Sequence, residues 1–231
     1  MPHAKPPEKT VKHFLGKLGP LCNAAYFGET DEVKALLDKG TDPDERGGDL
    51  NFTPLMLASM TKSGNFPIAE MLLQAGASVE AKDNSFNNAL AIACSGGDER
   101  IVKMLIEGGS DVNNLNRGKW GPLTLAVKHL NGAAAKLVLE AGADANQRTQ
   151  GICAPWGLHA LDILNDHRTP TGGSVSYLDG IDIRKLLKEK TTVPTARELK
   201  VQEDERRAKL AAEKAAAEAT GAPTPAAVEV A

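Results

Sequence analysis

The sequence predicts an all-α solenoid, a row of short helix pairs stacked side by side, followed by a charged helical tail. Three observations carry that expectation. The leucine of a Pro-Leu-like step recurs at Leu21, Leu55, Leu90, Leu123 and Leu161, at intervals of 34, 35, 33 and 38 residues. The last apolar residue of a Leu-Leu-like step recurs behind it, at Leu37, Leu73, Ile106, Leu139 and Leu187. The composition agrees: of 231 residues 42% are hydrophobic but only 4% aromatic, so the core must be filled by Leu, Ile, Val and Ala in thin layers. A fixed period of this length marks units that cannot bury their apolar faces alone and do so by stacking.

Taken in order, each block reads as one unit. The blocks cover 20–42, 53–78, 88–111 and 121–144, with a degenerate fifth at 159–164 that resumes at 182–190. Pro20, Pro54 and Pro122 stand in a first helical turn, where the missing N–H has no partner to lose. Leu and Ala three apart (Leu55/Ala58, Leu90/Ala93, Leu123/Ala126) mark the buried stripe of a first helix. A turn containing Gly28, Gly64, Gly96 and Gly97, or Gly132 leads to a second helix. Gly40, Gly76, Gly109 and Gly142 end that helix as C′ residues. A polar, extended segment such as Ser110–Asn113 leads onward. The two landmarks lie 16 apart in blocks one, three and four, 18 apart in block two and 26 in block five. The inserted residues belong in turns.

The ends differ from the middle. Residues 1–19 form a basic arm in which Val11, Phe14, Leu15 and Leu18 have helical spacing, which predicts a short helix capping the first repeat. Residues 20–190 hold the repeats. Residues 191–231 are rich in Ala, Glu and Lys and predict a solvated helix with a disordered end. Thr195 and Glu198 suit a capping box, Glu203/Arg207 and Glu205/Lys209 are i,i+4 pairs, and Gly221 with Pro223 stop the helix.

The pattern TPLxxA…G…IVKxLLxxGADxN resembles the ankyrin repeat, over about 20–190. Two features depart from it. The His that usually follows Pro-Leu is replaced by Cys22, Met56, Ala91, Thr124 and Asp162, and the Thr of Thr-Pro survives only as Thr53, so a weaker local hydrogen-bond network is expected. The resemblance implies β-hairpin finger loops between the helix pairs. It also implies a concave face, lined by fingers and first helices, that binds a protein partner. The variable places on that face map to Phe52, Asn87, Trp120 and Leu158, then to Tyr26 and Phe27, Met60 and Thr61, Ser95 and Gly96, Lys128 and His129, Asp166 and His167. Phe86 stands one residue away. More than half of the nine aromatics thus fall on or beside these places, and binding-patch centres are enriched in aromatics. The expected partner-binding set is Tyr26, Phe27, Phe52, Met60, Phe86, Trp120, Lys128, His129, Arg117 and Lys119. Arg46, Lys82, Asp83 and Arg148 extend its charged rim. The competing reading is that some of these rings pack on a neighbouring finger. Asn113, in Asp111-Val-Asn113, resembles a finger asparagine that is hydroxylated in some ankyrin proteins, but the favoured reading is an asparagine that bonds between neighbouring fingers.

Other function classes fit poorly. The net charge is −3, with +3 in residues 1–20 and −1 in 191–231, which leaves −5 in the middle and argues against nucleic-acid binding. No apolar run is long enough to span a membrane, and MPHAKPPEKT lacks the apolar core of a secretory signal. Cys22, Cys94 and Cys153 are too far apart for a metal-ligand pair and suit a reducing compartment, the cytosol or the nucleus. His159, Asp162, Asp166 and His167 could be drawn as a metal site, but polar residues around a degenerate repeat explain them as well. No catalytic constellation and no cofactor motif is found. The expectation is a non-catalytic adaptor or inhibitor, monomeric outside its complex. Its competitors are an assembly subunit recruited through the C-terminal helix and a secreted microbial effector.

Overall fold

The computed structural model describes residues 17–60, 65–96, 98–149, 160–166, 177–178, 181–192 and 194–220. The chain divides into two compact units, Met1–Thr192 and Val193–Ala231. The first contains five helix pairs: α1 (Pro20–Phe27) with α2 (Thr30–Asp38), α3 (Pro54–Ser59) with α4 (Phe66–Gln74), α5 (Ala89–Cys94) with α6 (Glu99–Glu107), α7 (Pro122–Lys128) with α8 (Gly132–Glu140), and α9 (Ala160–Asp166) with α10 (Ile183–Lys190). First helices pack in one row, α1 on α3 on α5 on α7 on α9. Second helices pack in another, α2 on α4 on α6 on α8 on α10.

The two rows bury different amounts of themselves. The first helices lie between neighbours on several sides, and every residue of α3 is buried. The second helices bury one stripe each, such as Ile68, Ala69 and Leu72 on α4 or Ile101, Val102 and Leu105 on α6. Leu21, Leu55, Leu90 and Leu123 all sit in the core, so the first landmark is a packing position in every described repeat. The second landmark is less uniform. Leu72 and Leu105 are fully buried, while Leu73 and Ile106 next to them are half-buried.

Each second helix ends as its glycine requires. Gly40, Gly76, Gly109 and Gly142 have φ of 81°, 90°, 86° and 91°, the left-handed region that costs a side chain most. The paired bonds from Thr41 N–H to Leu36 O and from Gly40 N–H to Leu37 O form a Schellman motif, repeated at the other three ends. The inter-helix turn of block four differs from expectation. Leu130, at φ 57°, makes the left-handed step, and Gly132 is the first residue of α8, capped by Asn131.

The lost Thr-Pro hydrogen bonds are supplied by other groups. Glu45 Oε1 accepts from the Cys22 N–H at 2.7 Å, Asn88 Oδ1 from Ala91 at 2.9 Å, and the Thr124 hydroxyl from Gly121 at 2.9 Å. Acidic and amide side chains also bridge one repeat to the next. Ser78 N–H donates to Asp44, Asp111 N–H to Glu80, Asp144 N–H to Asn113 and Thr192 N–H to Asn146. The acidity of the middle is thus partly a supply of acceptors for exposed backbone donors.

The long insertion of the fifth block contains a two-residue antiparallel pair, β1 (Tyr177–Leu178) with β2 (Ile181–Asp182), which the sequence did not foretell. The second unit contains α11 (Ala196–Thr220). Its capping box is formed: the Glu198 N–H donates to Thr195 Oγ1 at 3.2 Å and the Thr195 N–H to Glu198 Oε2 at 2.7 Å. Arg207 pairs with Glu203 at 3.1 Å, whereas no Glu205–Lys209 pair forms among the described residues. No described helix is long and apolar enough to cross a membrane. The predicted capping helix (residues 11–16 of it), Cys153 and the chain's last eleven residues lie outside the described residues.

Candidate functional site

Each finger is a tight reversal between a second helix and the next first helix. In finger one, Gly47 and Phe52 exchange backbone bonds of 2.9 and 2.8 Å. In fingers two and three the closing bonds run from Asp83 N–H to Asn87 O and from Asn116 N–H to Trp120 O. Short polar side chains brace the turns from inside. The Asp83 carboxylate accepts from the Ser85 and Asn87 N–H groups, and Asn116 Oδ1 from those of Gly118 and Trp120. Asx side chains suit such turns because they reach the backbone two residues on. Neighbouring fingers are then tied together. Asn84 N–H donates to Leu50 O at 2.8 Å, Arg117 N–H to Ser85 O at 2.9 Å, and Asn114 Nδ2 to Phe86 O at 3.1 Å.

The same place in fingers one, two and three is left-handed: Asn51 at φ 60°, Phe86 at 66° and Lys119 at 57°. Asn tolerates that region, but for a bulky residue it is an outlier that the surroundings must hold in place. Phe86 is nevertheless 48% exposed. Its ring lies under the Arg117 guanidinium, 5.2 Å from the centroid. A second such pair stands beside it in chain order, with Lys128 Nζ 4.5 Å above the ring of Trp120. The ring edge of Trp120 folds over Gly118, where a Cβ would come within 2.8 Å of it.

The expected site residues fall into three groups. Phe86, Met60, Arg117, Lys119, Lys128 and His129 are exposed, and Trp120 is half-buried with its ring partly on the core. Tyr26 and Phe27 are half-buried, packed edge to face at 5.2 Å and 81° and set against the core, so they offer less free surface. Phe52 is a correction. It is 5% exposed and belongs to the core cluster, so its ring cannot be an anchor for a partner. Its backbone pairing with Gly47 turns its side chain inward, one register step from the exposed place that Phe86 takes in finger two. Asp83 is a second correction: it is buried and occupied within its own finger rather than lying on a charged rim. Arg46 is exposed, yet its guanidinium is bonded to Asn51 O and Lys82 O. Leu158, Thr61 and His167 lie outside the described residues.

Two residues escaped sequence reasoning. Leu50 (42% exposed) lies in finger one and Leu115 (37% exposed) in finger three. The available signal was an isolated leucine in the polar strings Gly-Asp-Leu-Asn and Asn-Asn-Leu-Asn.

Other candidate chemistry is weaker. Cys22 and Cys94 are free and buried. Burial, then the Glu45 carboxylate, pushes the Cys22 thiol up to about 12, and burial pushes Cys94 up as well. A thiol held neutral in this way is a poor nucleophile. Asp162 is buried on α9, and His159 and His167 lie outside the described residues. Among the described residues no group of three or more His, Cys, Asp or Glu could hold a metal ion. Asn113 exposes its side chain but uses Oδ1 to accept from Asp144 of the next finger at 2.8 Å, the inter-finger role. An open hollow of about 720 Å³ lies at the end of the first repeat, lined by Pro20, Asn23, Ala24 and the acidic start of α2.

Stacked helix pairs joined by bonded hairpin fingers define a repeat solenoid. The family model for ankyrin repeats, described as three copies, matches residues 5–83 and again 81–149, and the chain belongs to the ankyrin repeat family. It is also similar to the potassium channel GORK of Arabidopsis thaliana, 40% identical over 70 residues. That match covers 30% of this chain and 8% of the channel, so the chain spans only a small part of that relative's length. Ankyrin repeats are in general protein–protein interaction modules.

Proposed function

We propose that this chain is a non-catalytic adaptor or inhibitor that binds a protein partner on the finger side of its ankyrin stack. The observation that carries the reading is Phe86, a bulky ring kept exposed at a left-handed backbone position. Backbone strain of about 1–2 kcal/mol with no core burial in return points to a use outside the fold. Trp120, Met60, Lys128 and His129 extend the same surface toward the first helices, and Arg117 and Lys119 border it. Rigid docking suits fingers already cross-bonded to one another, because little ordering cost remains at binding. Two buried free thiols favour a reducing compartment, so the reading places the protein in the cytosol or nucleus, as a monomer outside its complex.

Affinity purification of the full chain, wild type against Phe86→Asn/Trp120→Ala, tests this when quantified by mass spectrometry. A partner enriched on the wild type should fall by about tenfold or more on the variant, as for loss of hot-spot anchors. Equal recovery on both proteins sinks the finger-side reading. Thermal melts of the two proteins separate loss of the surface from loss of the fold.

A further inference from the structure

Around the exposed rings the charge runs against that of the protein. The middle of the chain is acidic, and several of its carboxylates are already spent on backbone N–H groups, Asp44 and Glu80 among them. At fingers two and three the exposed charges are basic Lys82, Arg117 and Lys119, joined by Lys128 at the end of α7, and acidic Glu80 and Asp111, whose carboxylates accept from the Asp111 and Asn113 N–H groups. Arg117, Lys119 and Lys128 have no carboxylate partner among the described residues. Arg117 and Lys128 lie over Phe86 and Trp120 instead. Leu50 on finger one, Leu115 on finger three and Met60 at the end of α3 add exposed apolar area.

We infer that this surface takes an acidic peptide segment, one in which an apolar or aromatic side chain is flanked by Asp or Glu. The inference rests on the finger-side binding reading and gives the partner its chemistry. The apolar side chain meets the ring faces and Leu115, while the flanking carboxylates reach Arg117, Lys119 and Lys128. A cation already seated on a ring face gives up little when a carboxylate approaches it from the solvent side, so ring and charge act together. Opposite charge also steers the encounter, and like charge across the surface rejects basic segments. Nucleic acid is the less favoured occupant. A handful of cations on a unit of net negative charge makes a poor phosphate track.

The test is a selection of short random peptides on the immobilised full chain, followed by fluorescence anisotropy of the selected peptides. The proposal expects Asp and Glu beside an apolar residue. It expects Gln/Asn twins to bind about tenfold or more weakly, and affinity to fall between about 0.05 and 0.5 M salt. Arg117→Glu/Lys119→Glu should reverse the preference, rejecting the acidic peptide and taking its Lys twin. If acidic peptides and their amide twins bind equally, and both depend on Phe86 and Trp120, the acidic-segment inference is overturned while the binding surface stands. If selected peptides ignore Phe86 and Trp120, or none is selected, the surface reading fails with it. Tighter binding of a labelled single-stranded oligonucleotide at the same residues also overturns the inference.

Discussion

Finger one and finger two each carry a phenylalanine, and the two rings meet opposite fates. Phe52 is 5% exposed and Phe86 is 48% exposed, although they stand one step apart in the repeat register. The difference follows from the returning arm of the hairpin, along which successive side chains alternate between faces. In finger one the outward, left-handed place belongs to Asn51 and the inward place to Phe52. Finger two reverses the chemistry: Phe86 takes the left-handed place, and Asn87 takes the next one, where its side chain bonds Asp83 and Asn116. Between these two fingers one residue of register thus separates a buried phenylalanine from an exposed one, while Trp120, at the place of Phe52 in finger three, is half-buried.

The strongest test of that contrast is truncation of the inward ring. Phe52→Ala should cost about 3 kcal/mol or more in urea unfolding, the usual loss for a buried phenylalanine. The same variant should leave the partner surface of a folded molecule intact. A loss of under about 1 kcal/mol would place Phe52 with Phe86 as a surface ring and dissolve the comparison.

A second handle lies beneath the same finger. The Cys22 thiol contacts Glu45 O and Phe52 O at 3.7 Å each, and its folded-state value rises from 9.0 to about 12. The group is neutral when protonated, so burial favours the folded state only while the unfolded chain's thiol can ionise no more than the folded one. Stability is therefore full below pH 9 and is lost as pH rises toward 12, where the unfolded chain alone holds thiolate. Each such thiol steepens the loss by up to about 1.4 kcal/mol per pH unit above 9, and Cys94 acts in the same direction. Chemical denaturation at pH 8 to about pH 10.5 should show the decline, and Cys22→Ala/Cys94→Ala should flatten it. An unchanged slope in the double variant would mean that these thiols open to solvent in the folded state.

What the sequence makes legible divides along the same line. Repeat count, helix pairing and helix ends are readable because they rest on local chemistry: proline in the first turn, glycine at C′, aliphatic residues at fixed spacing. Leu21, Leu55, Leu90 and Leu123 are buried because each repeat solves the same packing problem. The fingers are less readable. Their conformation depends on bonds between residues about thirty apart, such as Asn114 to Phe86 O and Asn84 to Asp49 O, and periodicity is blind to those. The same blindness hid the exposure of Leu50 and Leu115 and assigned Phe52 to the surface. Block four shows a milder case, where Leu130 rather than a glycine takes the left-handed turn because Asn131 is fixed as the cap of α8.

The smallest expected effect is the most discriminating. Phe86→Gly removes the strained ring and supplies the residue that the left-handed place prefers. Relief of the backbone should return about 1–2 kcal/mol. Against it stand the lost Arg117 contact, about 0.5–1 kcal/mol, and the greater freedom of glycine in the unfolded chain, about 0.4–1 kcal/mol. The balance is a stability within about 1 kcal/mol of wild type, measured by urea unfolding, together with loss of partner binding. Phe86→Asn should behave alike, because Asn also accepts this region of backbone space. A fall of more than about 2 kcal/mol in both variants would mean that the ring holds the fingers together and that its exposure is incidental. An unchanged or higher stability with lost binding would mean that the fold carries this ring at a cost, for the sake of what it contacts outside.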